Sequence, residues 1–252
     1  MGEFDLSIVG PALLAGILVL STHVPLGHKV LERGIIFIDL AIAQVAGLGV
    51  ILADNLGWEA YGWEVQIVAV SAAMAAAVGL HKAESLWPDV QEALIGVLFI
   101  LAASASILLL ADNPHGGEHL KDLLVGQILW VDYRQLIPIA VIYALLLLCW
   151  FGLGEKLPRM AFYLIFAVAI TASVQLVGIY LVFASLIIPA LATRNLSSKW
   201  QLAGAWIIGF LAYGAGICLS MWYDYPTGAL IVCAMAIIAT AAARILPAGM
   251  QK

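Results

Sequence analysis

Long apolar stretches follow one another along this whole chain, separated by short polar turns. An α-helix needs roughly 20 mostly apolar residues to cross about 30 Å of hydrocarbon, because its backbone N–H and C=O groups must all be satisfied within the segment. Such stretches fall at 7–24, 35–53, 65–80, 93–111, 136–153, 161–177, 178–192, 202–221 and 229–246. The sequence therefore predicts an all-α, polytopic membrane helical bundle of eight or nine spans. The stretch 178–192 is short and contains Pro189, which marks it as a half-helix or a broken span packed inside the bundle. The piece 122–131 is about half a span long and reads as a re-entrant or interfacial helix.

Composition agrees. Of 252 residues, 64% are hydrophobic and 11% charged, and the mean hydropathy is strongly positive, a balance that a soluble domain could not keep in water. The apolar runs leave no room for a soluble domain, so residues 1–252 read as one transmembrane domain. The first stretch follows Met1-Gly-Glu-Phe-Asp5, without a basic leader or a small-residue cleavage site, and is expected to stay in the mature protein. Cys149, Cys218 and Cys233 lie far apart in apolar runs and read as small buried hydrophobes.

Short cytoplasmic loops are enriched in Lys and Arg, which sets the orientation. With the N-terminus outside and nine crossings, Lys29, Arg33, Lys82, Lys156, Arg159, Arg194, Lys199, Arg244 and Lys252 fall inside, leaving only Lys121 and Arg134 of the eleven basic residues outside. Glu3, Asp5, Asp54, Glu59, Glu64, Asp112, Glu118, Asp122, Asp132 and Asp224 fall outside, ten of the sixteen acids. An acidic outer face would concentrate cations at the mouth of the bundle; equally, acids collect on the side where nothing opposes them.

Two groups of residues could carry chemistry. Asp39 lies within a span, where an ionisable side chain costs a few kcal/mol unless it meets a partner or a wet cavity. His23 lies about five residues before the turn read at Gly27 to Gly34, and Asp39 about five after it, so antiparallel helices would hold the two at similar depth. Imidazole and carboxylate are ordinary ligands for Zn²⁺ or Mn²⁺, and the pair is a candidate metal or proton site; a buried hydrogen bond that only locks two helices explains it too. The second group is the outer loop from Asp112 to His119, where His115, Glu118 and His119 are candidate metal ligands and Gly116-Gly117 lets the backbone fold back. A solvated turn is the alternative. The segment lacks His-Glu-x-x-His and is too rich in glycine to form the helix that a zinc protease requires. His28 and His81 sit beside Lys29 and Lys82, where interfacial anchoring explains them. Small residues at 71–77 and 204–216 allow close helix packing. No glycine-rich phosphate loop with Lys-Ser or Lys-Thr is present, so any ATP hydrolysis belongs to another chain.

Several blocks resemble the permease family of ABC-type zinc, manganese and iron importers. Pro25-Leu-Gly27 with Arg33 and the Asp39 helix resembles its first cytoplasmic turn and second helix, and Leu123-Leu-Val-Gly126-Gln-Ile-Leu129 resembles its outer Leu-Phe-Gly-Asp segment. Val177-Gly178 through Pro189 to Arg194 is similar to its longest shared block, and Tyr223-Asp224-Tyr-Pro226-Thr-Gly228 to its Tyr-Asp-x-Pro-x-Gly turn. The resemblance implies a homodimeric permease in the lipid of the cell (inner) membrane, importing a divalent metal by alternating access. It implies two cytoplasmic ATPase subunits and an extracytoplasmic metal-binding protein as partners, with no nucleic acid, no catalysis by this chain and no permanently bound cofactor. Zinc is favoured because histidine outnumbers sulfur among the candidate ligands.

Two departures stand out. The family's second helix carries Asp and His one turn apart, positions that fall on Leu40 and Gln44 here, with Asp39 one place early. Gln44 thus joins His23 and Asp39 among the candidate metal ligands. Where the family carries a coupling helix for the ATPase, only Gly154 to Arg159 separates two spans, so either His81 to Glu92 meets the ATPase or the usual coupling is missing. An ATP-independent metal carrier or channel on the same scaffold is the alternative, and an intramembrane metalloenzyme using His115, Glu118 and His119 is a third reading.

Overall fold

A computed structural model describes residues 6–58 and 62–245. Glu3, Asp5, Glu59, Leu246 and Lys252, which the charge and span readings invoke, lie outside the described residues. The described residues form ten α-helices and no strand: α1 (Leu6–Arg33), α2 (Ile38–Asn55), α3 (Trp63–Leu86), α4 (Gln91–Leu109), α5 (Gly116–Val125), α6 (Tyr133–Leu153), α7 (Arg159–Val177), α8 (Ile179–Thr193), α9 (Ser198–Tyr223) and α10 (Thr227–Ile245). All but α5 and α8 are long and apolar enough to cross a membrane. The polytopic bundle anticipated from the apolar runs is therefore present, with α8 as the short apolar helix.

Glycine sets several of the reversals. Gly34, Gly57, Gly126 and Gly178 stop or follow helices with φ between 70° and 81°, a region that costs other residues strain. At the start of α6, Asp132 accepts the backbone N–H groups of Arg134 and Gln135, while Gln135 accepts the Asp132 N–H, a complete capping box.

Helix α8 lies at the centre although it is among the shortest. It packs against α1, α9 and α10, and Leu181, Val182, Ala184, Leu186 and Ala190 are all buried. The approach of α1 is so close that a Cβ at Gly27 would collide with the Leu186 carbonyl oxygen. A second group gathers around α2, which packs on α3, α4 and α7; there a Cβ at Gly49 would meet the Ala69 Cα at 3.0 Å. Lipid tails are as apolar as side chains, so such small-residue contacts, rather than exclusion of water, hold the helices together. Helices α4 and α6 are peripheral, exposing Ile100, Leu101, Leu108, Ile137, Val141, Leu145 and Leu148.

Three local expectations change. Cys149, Cys218 and Cys233 are exposed, because apolar character directs a residue out of water but not to the protein side of a membrane helix. The turn expected from Gly27 to Gly34 is helical: α1 continues through Pro25 and Gly27 to Arg33, and the chain reverses only around Gly34. The glycine-rich stretch after His115 is also helical, since α5 begins at Gly116 and includes Glu118 and His119.

Candidate metal-ion pathway

The longer α1 separates the two spanning candidates. His23 lies ten residues before Arg33, about 15 Å along the helix at 1.5 Å per residue, whereas Asp39 sits in the first turn of α2. Helix α1 packs mainly on α8 and α9, and α2 on α3 and α4. His23 Nε2 and both Asp39 carboxylate oxygens are buried without a hydrogen-bond partner, so the pair expected from the sequence does not form.

His23 is fully buried. Its Nδ1 lies 2.9 Å from the Val19 carbonyl oxygen and 3.1 Å from Thr22 Oγ1. A carbonyl oxygen only accepts, so Nδ1 carries the proton and Nε2 is left as the bare nitrogen of the neutral ring. A ring oriented by one nitrogen and open at the other is the usual arrangement of a metal-ligating histidine. Nearby, Tyr143 donates to the Ala169 carbonyl and meets Ser173 Oγ at 2.5 Å, adding hydroxyl groups to the same interior between α1, α6 and α7.

Asp39 is 1% exposed. Its place at the N-terminus of α2 gives it the favourable end of the helix dipole. Gln44 is also buried on α2, but five residues of helix turn it about 140° from Asp39, so the two do not share a face.

The acidic end is built from α5 and its neighbours. His115 Nδ1 and Glu118 Oε2 are 3.3 Å apart, and both side chains are largely exposed. His119 lines a different place, a cavity of about 210 Å³ with Asp54, Asp122, Gln127 and Gln175 among its walls. His115, Glu118 and His119 therefore do not share one centre, and among the described residues no three His, Cys, Asp or Glu side chains gather closely enough to hold an ion.

The basic end holds polar residues that reading the sequence did not single out as a site. Glu92 Oε1 accepts the Phe37 N–H at 3.2 Å, tying α4 to the start of α2. Gln91 donates to the Tyr163 hydroxyl at 2.7 Å, and the His81 ring lies 5.3 Å from the Tyr163 ring and 3.5 Å from Glu84. Arg33 stands over the Phe162 ring at 4.1 Å. These charges flank apolar runs, where a sequence shows only a span boundary; α2, α3, α4 and α7 bring them together. His28 likewise does more than anchor an interface, since its Nε2 meets Thr193 Oγ1 at 3.2 Å and joins α1 to α8.

Known proteins share this chain's plan. The family described as the ABC 3 transport family matches residues 5–162 and 151–245. The high-affinity zinc uptake system membrane protein ZnuB of Haemophilus influenzae is 26% identical over 89% of this chain and 92% of its own length. The manganese transport system membrane protein MntC of Halalkalibacterium halodurans is 28% identical over 90% of this chain and 83% of its own. The solved structure of PsaBC from Streptococcus pneumoniae in complex with Fab superposes with a TM-score of 0.77, at 20% identity, over 93% of this chain and 90% of that one.

Proposed function

This chain belongs to the ABC 3 transport family, and we propose that it is the membrane-spanning permease subunit through which a divalent metal ion, zinc in preference to manganese or iron, is imported. One observation carries the reading: His23 and Asp39, side chains of a type that ligates metal ions, are buried in spanning helices, and His23 Nε2 and both Asp39 oxygens make no side-chain contact that would occupy them. The relatives' names divide among zinc, manganese and iron. Zinc is preferred because the free deep ligand is an imidazole nitrogen, and none of the three cysteines accompanies it inside the bundle.

The basic end faces the cytoplasm and the acidic end faces outward, following the distribution of Lys and Arg. A metal ion delivered by an extracytoplasmic binding protein arrives at the acidic end by His119, Asp54 and Asp122, with His115 and Glu118 exposed beside it. It passes His23 and then Asp39, with Gln44 as a further ligand on α2, as the bundle alternates between outward and inward access. Two copies of the chain form the transporter, and cytoplasmic ATPase subunits dock at the basic end and supply the energy.

The test is uptake of radioactive zinc by cells carrying the intact transporter. His23→Ala and Asp39→Ala should each abolish uptake while the permease still reaches the membrane. Normal uptake in both variants would remove this pathway.

The segment between α6 and α7 supports a second reading. It holds only the 3₁₀ turn Gly154–Lys156 and no docking helix, which favours an ATP-independent carrier or channel on the same scaffold. Purification of the permease from its native membrane decides between them: a stable complex with an ATPase chain eliminates the carrier. No observation favours the metalloenzyme reading, since its three residues do not converge and the family is one of transporters.

A further inference from the structure

Where α8 ends, the bundle leaves an apolar groove that the metal pathway does not use. It measures about 500 Å³ and runs between α8 and α10, with Ile188, Leu191 and Ala192 on one wall and Ala236, Ala239 and Ala243 on the other. Its volume falls in the range of roughly 300–1,000 Å³ typical of ligand sites. Apart from Thr240, α10 lines it with alanine alone, and the Thr240 hydroxyl is turned onto the Ala236 carbonyl at 2.7 Å. The walls therefore offer a ligand apolar contact and no free donor.

Only the end of the groove at the basic side is polar. Arg194 and Asn195, which follow the last turn of α8, close it there, and Arg244 is exposed beside Ala243 in the last turn of α10. Among the described residues no hydrogen bond or ion pair engages the Arg194 guanidinium; its carbonyl oxygen accepts from the Gln201 amide at 3.1 Å. Glu32 shares a second hollow with Arg194 but is bonded to Lys29 at 2.7 Å. Trp200, in the first turn of α9, is exposed at this end, and tryptophan collects where headgroups meet hydrocarbon.

An apolar trough along membrane helices that ends in an unpaired guanidinium fits a phospholipid with an acidic headgroup, its acyl chain in the trough and its phosphate at the rim. A soluble partner would reach the rim but not the alanine walls. A second copy docked here by two-fold symmetry would set arginine against arginine. We propose that the groove between α8 and α10 binds an anionic phospholipid at the basic end, with Arg194 holding the phosphate. Such a site requires only a membrane-spanning chain and stands apart from the metal-permease reading.

Native mass spectrometry of the purified full-length protein in detergent, titrated with phosphatidylglycerol or with phosphatidylcholine of the same acyl chains, reads both affinities. The wild type should bind phosphatidylglycerol more tightly by at least about fivefold, the contribution of one basic residue at an anionic headgroup. Arg194→Gln should weaken phosphatidylglycerol binding about fivefold and leave phosphatidylcholine unchanged, whereas Arg194→Lys should keep most of the preference. Ala236→Phe, at an exposed position of the wall, puts a ring into the groove and should weaken binding of both lipids. Equal affinity of the wild type for the two lipids, or a preference unaltered in Arg194→Gln, overturns the site. Lipid affinities unchanged in Ala236→Phe overturn it too, and if that variant also splits a protein dimer, the groove belongs to a second copy.

Discussion

Gly126 and Gly178 face each other where α5 ends and α8 begins, so closely that neither can carry a side chain. A Cβ on Gly126 would strike the Val177 carbonyl, and one on Gly178 would strike the Gly126 nitrogen and come within 2.6 Å of the Val125 carbonyl carbon. Both have positive φ, 72° and 78°. Gly228, at the start of α10, closes on the Val125 carbonyl oxygen at the same junction. Three chain reversals thus meet as bare backbone, which lets the half-span α5 cover the acidic end of the central helix.

Gly126→Ala and Gly178→Ala should each destabilise the permease by at least about 1–3 kcal/mol from backbone conformation alone, with the steric clash in addition. Thermal unfolding in detergent measures this. Gly152→Ala is the control: nothing lies within 4 Å of its Cβ position, and its effect should stay within about 0.5 kcal/mol. Equal melting temperatures for all three variants would contradict the close junction.

The α6 cap makes a smaller prediction. Asp132→Ala removes the acceptor for two backbone N–H groups and should cost about 1 kcal/mol. Asp132→Asn keeps a side-chain oxygen and should recover most of it. If the alanine and asparagine variants unfold at the same temperature, the cap does not contribute.

Asp39 should separate stability from function. Its carboxyl group is enclosed without a hydrogen-bond partner, so replacing it with an apolar residue of similar volume relieves an unpaired buried polar group. Asp39→Leu should melt at the wild-type temperature or above and transport no zinc. A large fall in melting temperature would identify Asp39 as a structural residue instead.

The acidic end should affect capture rather than folding. His115 and Glu118 form an exposed pair, worth about 0–1 kcal/mol, so His115→Ala should leave unfolding nearly unchanged. His119→Ala, at the cavity shared with Asp54 and Asp122, should raise the zinc concentration for half-maximal uptake and spare the maximal rate. A change in maximal rate alone would move His119 away from the entrance.

What the sequence determined by itself is what depends on local composition. Runs of apolar residues placed the spans, the short 178–192 stretch identified α8, and the sequence-ordered blocks around Gly126, Pro189 and Asp224 carried the family resemblance. The half-span after Asp122 was legible in part, because length alone rules out a crossing, while the helical start at Gly116 was not. Glycine is a poor helix former, and here it is held by tertiary contacts such as that between Gly116 and the Leu110 carbonyl. Only the tertiary structure decided which helices are neighbours. A turn is expected from Gly27 to Gly34, yet α1 runs on through Gly27 against α8, which leaves His23 about 15 Å from the end of α1 where Arg33 lies and far from the first turn of α2. Hydropathy sets the depth of a segment in the membrane but not its rotation or its neighbours. The surroundings of Asp39 are therefore set by the packing of α2 on α3, α4 and α7, which no local pattern in the sequence records.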